Sequence, residues 1–139
     1  MNTPENTKIV QETLAAFVRG DIPAILNNLT DDVDWFIPGP TERLAFSGAR
    51  HGREEVLQFF MALDAAVEFL KFEPRDFVAA GNKVVAFGHN EDRMKATNVF
   101  FENDWACLFI VRDGKIAKVR MNEDTAAFVI ALEPQAAKE

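Results

Sequence analysis

Tyrosine is absent from the 139-residue chain, and there are only one cysteine, two histidines and two tryptophans. Without a phenol, no mechanism that needs a tyrosine proton donor is open to this protein. The lone Cys107 cannot close an internal disulfide. The region of Met1 lacks the basic start and apolar core of a signal peptide, so a reducing, cytoplasmic setting is expected. Long apolar runs are missing as well. Stretches such as Ala106 to Val111 fall far short of the roughly 18 residues that cross a bilayer, and no membrane partner is expected. Basic residues are few, 15 against 22 acidic ones for a net charge of −7. They are also scattered, which argues against nucleic acid, because a basic face is needed to neutralise phosphates.

What the chain does have is phenylalanine, 13 residues of it, enough to line an interior with phenyl rings. Hydrophobic residues at 48% and charged residues at 27% are close to the globular average. The length suits a single domain over residues 1–139.

Val10, Leu14, Phe17 and Val18 recur at helical spacing between Pro4 and Arg19, with Thr3 as a cap and Gly20 past the end. Asp21 can cap a second, short helix whose Ile22, Ile25, Leu26 and Leu29 share a face. Val33 to Ile37 is a strand stopped by Pro38, Gly39 and Pro40, and a loop follows to Gly52. From Arg53 a helix carries Val56, Phe60, Leu63 and Val67 on one stripe, ending between Ala65 and Leu70. The period then becomes two. Strands are expected over Phe69 to Ala79, Lys83 to Gly88, Thr97 to Val111 and Lys115 to Glu123, joined as an antiparallel meander. A last helix capped by Asp124 runs through Leu132, its end marked by Pro134. Helices followed by strands define an α+β fold, a cone-shaped, curved antiparallel sheet wrapped around N-terminal helices as in a cystatin-like roll, with a short C-terminal helix. The open end of such a cone is a natural pocket.

Asp113-Gly114 is a two-residue turn that sets Arg112 opposite Lys115. Regular pairing from there puts Ala106 with Met121, Leu108 with Val119 and Ile110 with Ala117 on one aliphatic, concave face. Trp105, Cys107 and Phe109 then fall on the other face, suited to a convex surface or a subunit interface. The concave row reaches Asp104 opposite Glu123, two carboxylates that would hold a proton more tightly together than apart. Asp104 and Glu123 are therefore the candidate acid and base, with His89 at the end of its strand as a third candidate. Trp35 and Phe72 belong to sheet elements near the cone, and Arg93 could pair with Asp104 or with an anionic ligand. Glu91 and Asp92 lie close to His89, but no metal is expected, on the reading that neither His-x-Glu nor Cys-x-x-Cys spacing supports zinc.

Gly20-Asp21 between two helices, Asp31-Asp32-Val33 leading through Trp35 to Pro38-Gly39, Gly52-Arg53-Glu54-Glu55 opening a helix, Phe72-Glu73-Pro74-Arg75, and Trp105 through Arg112-Asp113-Gly114-Lys115-Ile116 occur in one order. Together, from about Ile9 to Leu132, they resemble the SnoaL-like, ketosteroid-isomerase-related families of the nuclear transport factor two-like superfamily. The resemblance implies an α+β cone with an apolar pocket, commonly dimeric through the outer face of the sheet. It also implies isomerase, cyclase, dehydratase or epoxide hydrolase chemistry, or non-catalytic binding. The positions where relatives place catalytic groups look like Thr13, Ile37, Ala106 or Cys107, and Met121, none of them a carboxylate here. Relatives often carry histidines at positions resembling Phe36 and Cys107, whereas Arg120 and Asp124 match the common pattern. The expected substrate is a small apolar molecule held by Trp35, Ile37, Phe60, Phe72, Leu108, Val119 and Met121. Any chemistry would be cofactor-free proton transfer.

Overall fold

The computed structural model describes residues 3–133, so the stop expected at Pro134 lies outside the described residues. Helix α1 (Thr3–Arg19) ends at Gly20, whose φ of +74° suits glycine at the stop. Asp21 caps α2 (Ile22–Asn27), its side chain accepting from the Ala24 N–H at 3.2 Å. Strand β1 (Leu29–Ile37) starts earlier than Val33, and a short β2 (Gly48–His51) lies inside the segment expected to be loop. Then follow α3 (Gly52–Ala66), β3 (Val67–Ala80), β4 (Lys83–Met94), β5 (Val99–Arg112), β6 (Lys115–Glu123) and α4 (Thr125–Leu132).

All six strands form one sheet in the order β2-β1-β6-β5-β4-β3. The meander is antiparallel as expected, but β1 joins it by pairing parallel to β6. Strand β4 runs on through the polar stretch Asn90 to Met94 that was expected to be a connection. Its alternation of buried and half-buried residues shows why: Asn90, Asp92 and Met94 face the interior. Two register shifts in β3, between Phe69 and Lys71 and between Pro74 and Asp76, bend this edge strand, as bulges do. Phe69, Phe72 and Phe77 pack against the helix-covered core.

The register of the last hairpin decides what faces inward. Asp113 and Gly114 both have positive φ, 50° and 78°, as a tight primed turn requires, and Arg112 does oppose Lys115. One pair further on, a bulge between Ile110 and Val111 leaves Ala117 unpaired and shifts the ladder by one residue. A shift of one flips a strand's side chains to the other face. Phe109 therefore opposes Val119, Cys107 opposes Met121 and Trp105 opposes Glu123. Trp105, Cys107 and Phe109 are buried in the core, correcting the convex placement expected for them. Leu108 pairs with Arg120 and Ala106 with Asn122 on the outer face. Asp104 pairs with His89 of β4 and does not oppose Glu123. The inverted strand thus satisfies the larger residues: two of the buried rings, Trp105 and Phe109, replace the smaller Ala106 and Leu108 inside.

Gly88 makes that inversion possible. A Cβ there would stand 2.2 Å from Trp105 Cζ2 and 2.6 Å from the Glu73 carbonyl oxygen, so only glycine lets the indole lie across β4.

Candidate functional site

The helices and the inner face of the sheet enclose a cavity of about 90 Å³. Its walls are mainly phenyl rings. Phe17 of α1 meets Phe72 with centroids 4.7 Å apart and Phe69 at 5.3 Å, and Phe72 stacks on Trp105 at 5.1 Å. On the other side Trp35 packs on Phe59 at 5.3 Å and Phe60 at 5.5 Å, and Phe128 of α4 also reaches the cavity. A void of about 150 Å³ admits benzene. At about 90 Å³ this space is smaller, so a single small ring enters as the aromatic wall gives way.

Four side chains bring ionisable or hydrogen-bonding groups other than indoles to this wall: Thr13, Asn90, Cys107 and Glu123. The Thr13 hydroxyl is already used, donating to the Ile9 carbonyl at 2.8 Å and accepting from Asn28 Nδ2 at 3.0 Å. Asn90 Oδ1 accepts from Trp105 Nε1 at 2.8 Å. Burial, with the neighbouring Glu123, pushes the Cys107 thiol well above its ordinary value, so it stays protonated and inert. Glu123 is the chemically poised group. Burial first, and the charge of Asp92 second, push its carboxyl up to about 8.

Asp92, on the same inner face, is 1% exposed, and neither of its side-chain oxygens has a hydrogen-bond partner among the described residues. It stands between Phe69 of β3 and Phe101 of β5. Burial raises it to about 7, with His89 pulling slightly the other way. The inner face thus holds a carboxyl pair, but it is Glu123 with Asp92 rather than Glu123 with Asp104. Among the described residues no ion pair engages either one. At neutral pH the carboxyl group at the cavity is a neutral acid able to donate a proton.

The remaining expected residues divide by face. Trp35, Ile37, Phe60, Phe72, Val119 and Met121 line the cavity together with Glu123, and Leu108 does not. Asp104 and His89 do meet, at 2.6 Å through His89 Nδ1, but on the outer face, where His89 Nε2 also lies 3.1 Å from Glu102 Oε1. Asp104 first, then Glu102, raises the His89 pKa above its ordinary value against desolvation. His89, Glu91 and Glu102 bring metal-ligating atoms within 4.8 Å of one another there. His89-Asn90-Glu91 is the spacing that puts both side chains on one face of a strand, a signal passed over in the sequence. Arg93 pairs with Glu68 at 2.9 Å and not with Asp104. Asp92 lies on the inner face and not in a solvated loop beside His89, because β4 runs past Gly88 and its alternation buries the side chain.

A curved sheet closed over helices, with a largely apolar cavity and a half-buried acid at its wall, defines a cone-shaped α+β protein built around an internal site. The chain belongs to the SnoaL-like domain family, whose model matches residues 10–119. An NTF2-like protein of Burkholderia xenovorans LB400 is 34% identical, with 96% of this chain and 99% of that one covered at a TM-score of 0.85. TerC, crystallised with polyporic acid, is 25% identical over 91% of this chain and 97% of its own, with a TM-score of 0.82. An NTF2-like protein of Burkholderia pseudomallei K96243 shares the fold at 23% identity and a TM-score of 0.85, covering 92% of this chain and 97% of that one. No curated protein matches the chain.

Proposed function

We propose that this protein binds a small, largely apolar molecule in the phenyl-lined cavity and transfers a proton to it from Glu123 without a cofactor. The observation that carries this reading is a carboxyl group raised to about 8 at the wall of an otherwise apolar site. A neutral acid at pH 7 can protonate a leaving hydroxyl or polarise a carbonyl, the steps shared by dehydration, isomerisation, intramolecular aldol closure and hydrolysis. Asp92 supports this role by keeping the proton on Glu123. Trp35, Ile37, Phe60, Phe72, Val119 and Met121 orient the substrate, while His89 and Asp104 lie on the outer face and take no part in that step. TerC supports a small molecule as the ligand, since it was crystallised with polyporic acid.

A binding protein without catalysis is the second reading. It is favoured by Thr13, Ile37, Cys107 and Met121, which line the cavity where related enzymes place their catalytic groups and carry no carboxylate.

The working unit is a homodimer joined through the outer face of the sheet. Val78 at 62% and Phe87 at 41% exposure lie there in two cross-strand rows, Val78-Val85-Leu108, which ends at Arg120, and Phe87-Ala106, which is flanked by Asp76 and Asn122. A cytoplasmic setting agrees with the buried free thiol of Cys107. Among the described residues no helix is long and apolar enough to cross a membrane.

Native mass spectrometry of the protein incubated with acetophenone, a single-ring ketone of the size the cavity suits, tests binding and assembly together. A dimer carrying one molecule per chain is expected. A monomer that takes up none would overturn the proposal. Once a turnover assay exists, Glu123→Gln should cost about 100- to 10,000-fold in rate; an unchanged rate would remove Glu123 as the proton donor, and no turnover in the wild type would leave the binding reading alone.

A further inference from the structure

The two tryptophans of the chain differ in one respect. Trp105 donates its indole N–H to Asn90 Oδ1 at 2.8 Å. Trp35, 8% exposed and part of the cavity wall, has an indole nitrogen sealed from solvent with no acceptor among the described residues. Nearly all buried donors in folded proteins are paired, and one left unmade is costly. The surroundings of Trp35 supply nothing. Its cross-strand neighbours are Val119 and Arg50, and neither side chain holds an acceptor. The Arg50 guanidinium is itself spent on the Ala45 and Glu55 carbonyl oxygens. Phe59 and Phe60, tilted 52° and 68° to the indole, offer only ring faces, which are weak acceptors. A water would fare no better, because a stable buried water needs two to four polar partners.

We infer that the ligand presents a carbonyl-type oxygen to the indole N–H of Trp35, so that the site selects an aromatic carbonyl compound over the corresponding hydrocarbon. This rests on the cavity being the ligand site, as proposed above. It adds a requirement that phenyl walls alone would not impose: an acceptor oxygen at the β1 side of the cavity, separate from the group that meets Glu123. On β6, Val119 beside Trp35 and Glu123 are four residues apart, or about 13 Å at strand rise. The two polar contacts therefore address different ends of the site. A site built around a hydrogen bond discriminates strongly against an analogue that leaves its buried group unpaired.

Two matched probes test this by fluorine NMR titration: para-fluoroacetophenone, which carries the ketone, and para-fluoroethylbenzene, which does not. The wild-type protein should bind the ketone about tenfold more tightly, and Trp35→Phe should bring the two affinities together by weakening the ketone alone. The wild-type protein provides a second readout that needs no variant. With two tryptophans in the chain, the ketone should move the indole proton signal of Trp35 downfield and leave that of Trp105 in place. Equal binding of both probes with a silent Trp35 signal would overturn the inference while leaving the cavity as the ligand site. Binding of neither probe would overturn both.

Discussion

The neutral carboxyl of Glu123 should be visible as a penalty on stability. Its pKa rises from 4.5 to about 8 on folding, and at about 1.4 kcal/mol per unit that amounts to about 5 kcal/mol. The sign follows from proton counts. Between these values the native state holds the proton and the unfolded state has released it, so stability falls as pH rises, by about 1.4 kcal/mol per unit, and levels off above pH 8. Glu123→Gln removes this titration. Near pH 4 the variant and the wild type should be close in stability, and at pH 8 the variant should be more stable by about 4 kcal/mol, a large part of a typical 5 to 15 kcal/mol. His51 and His89, whose pKa values are also raised, push stability in the same direction above pH 6.5, but they do so in both proteins and cancel in the difference. Urea unfolding at pH 4, 5, 6, 7 and 8 measures it. Parallel stability profiles for the two proteins across that range would refute the reasoning.

Gly88→Ala should destabilise by about 2 kcal/mol or more, since its Cβ would stand 2.2 Å from the Trp105 ring and the indole is held by its hydrogen bond to Asn90 and its stacking on Phe72; thermal and urea unfolding read this directly. Val85→Asp places a charge between Val78 and Leu108 on the outer face, so sedimentation should show a folded monomer, whereas a retained dimer would exclude that face as the interface. Asp104→Asn removes the first cause of the raised His89 pKa, and an imidazole NMR titration should find it closer to 6.5, with Glu102 still holding part of the rise.

Periodicity in the sequence was enough for the helices, the antiparallel meander and the Asp113-Gly114 turn, because each depends on local spacing or turn chemistry. Ala117 was not legible as a bulge. It is a small apolar residue in an alternating strand, and nothing local marks it as the unpaired one. That one residue carried the error through β5, putting Leu108 inside and Trp105 outside, and it made Asp104 the partner of Glu123. Two signals pointed the other way. Gly88 alone in a strand marks a close approach, here by the Trp105 indole. The bulky rings of Trp105 and Phe109 are better buried than Ala106 and Leu108. Glu123 was found because β6 kept its own alternation. Asp92 was missed because polar residues at Asn90 and Asp92 look like a loop unless their partners Asn103 and Phe101 across the ladder are known.

Labelling the glutamate side-chain carboxyl carbons and following Glu123 by NMR from pH 3 to 10 examines the buried acid itself. A midpoint about 8, moving lower in Asp92→Asn, is the predicted result. A midpoint near 4.5 in the wild type would mean an ordinary ionised glutamate at the cavity and would contradict proton donation from this site.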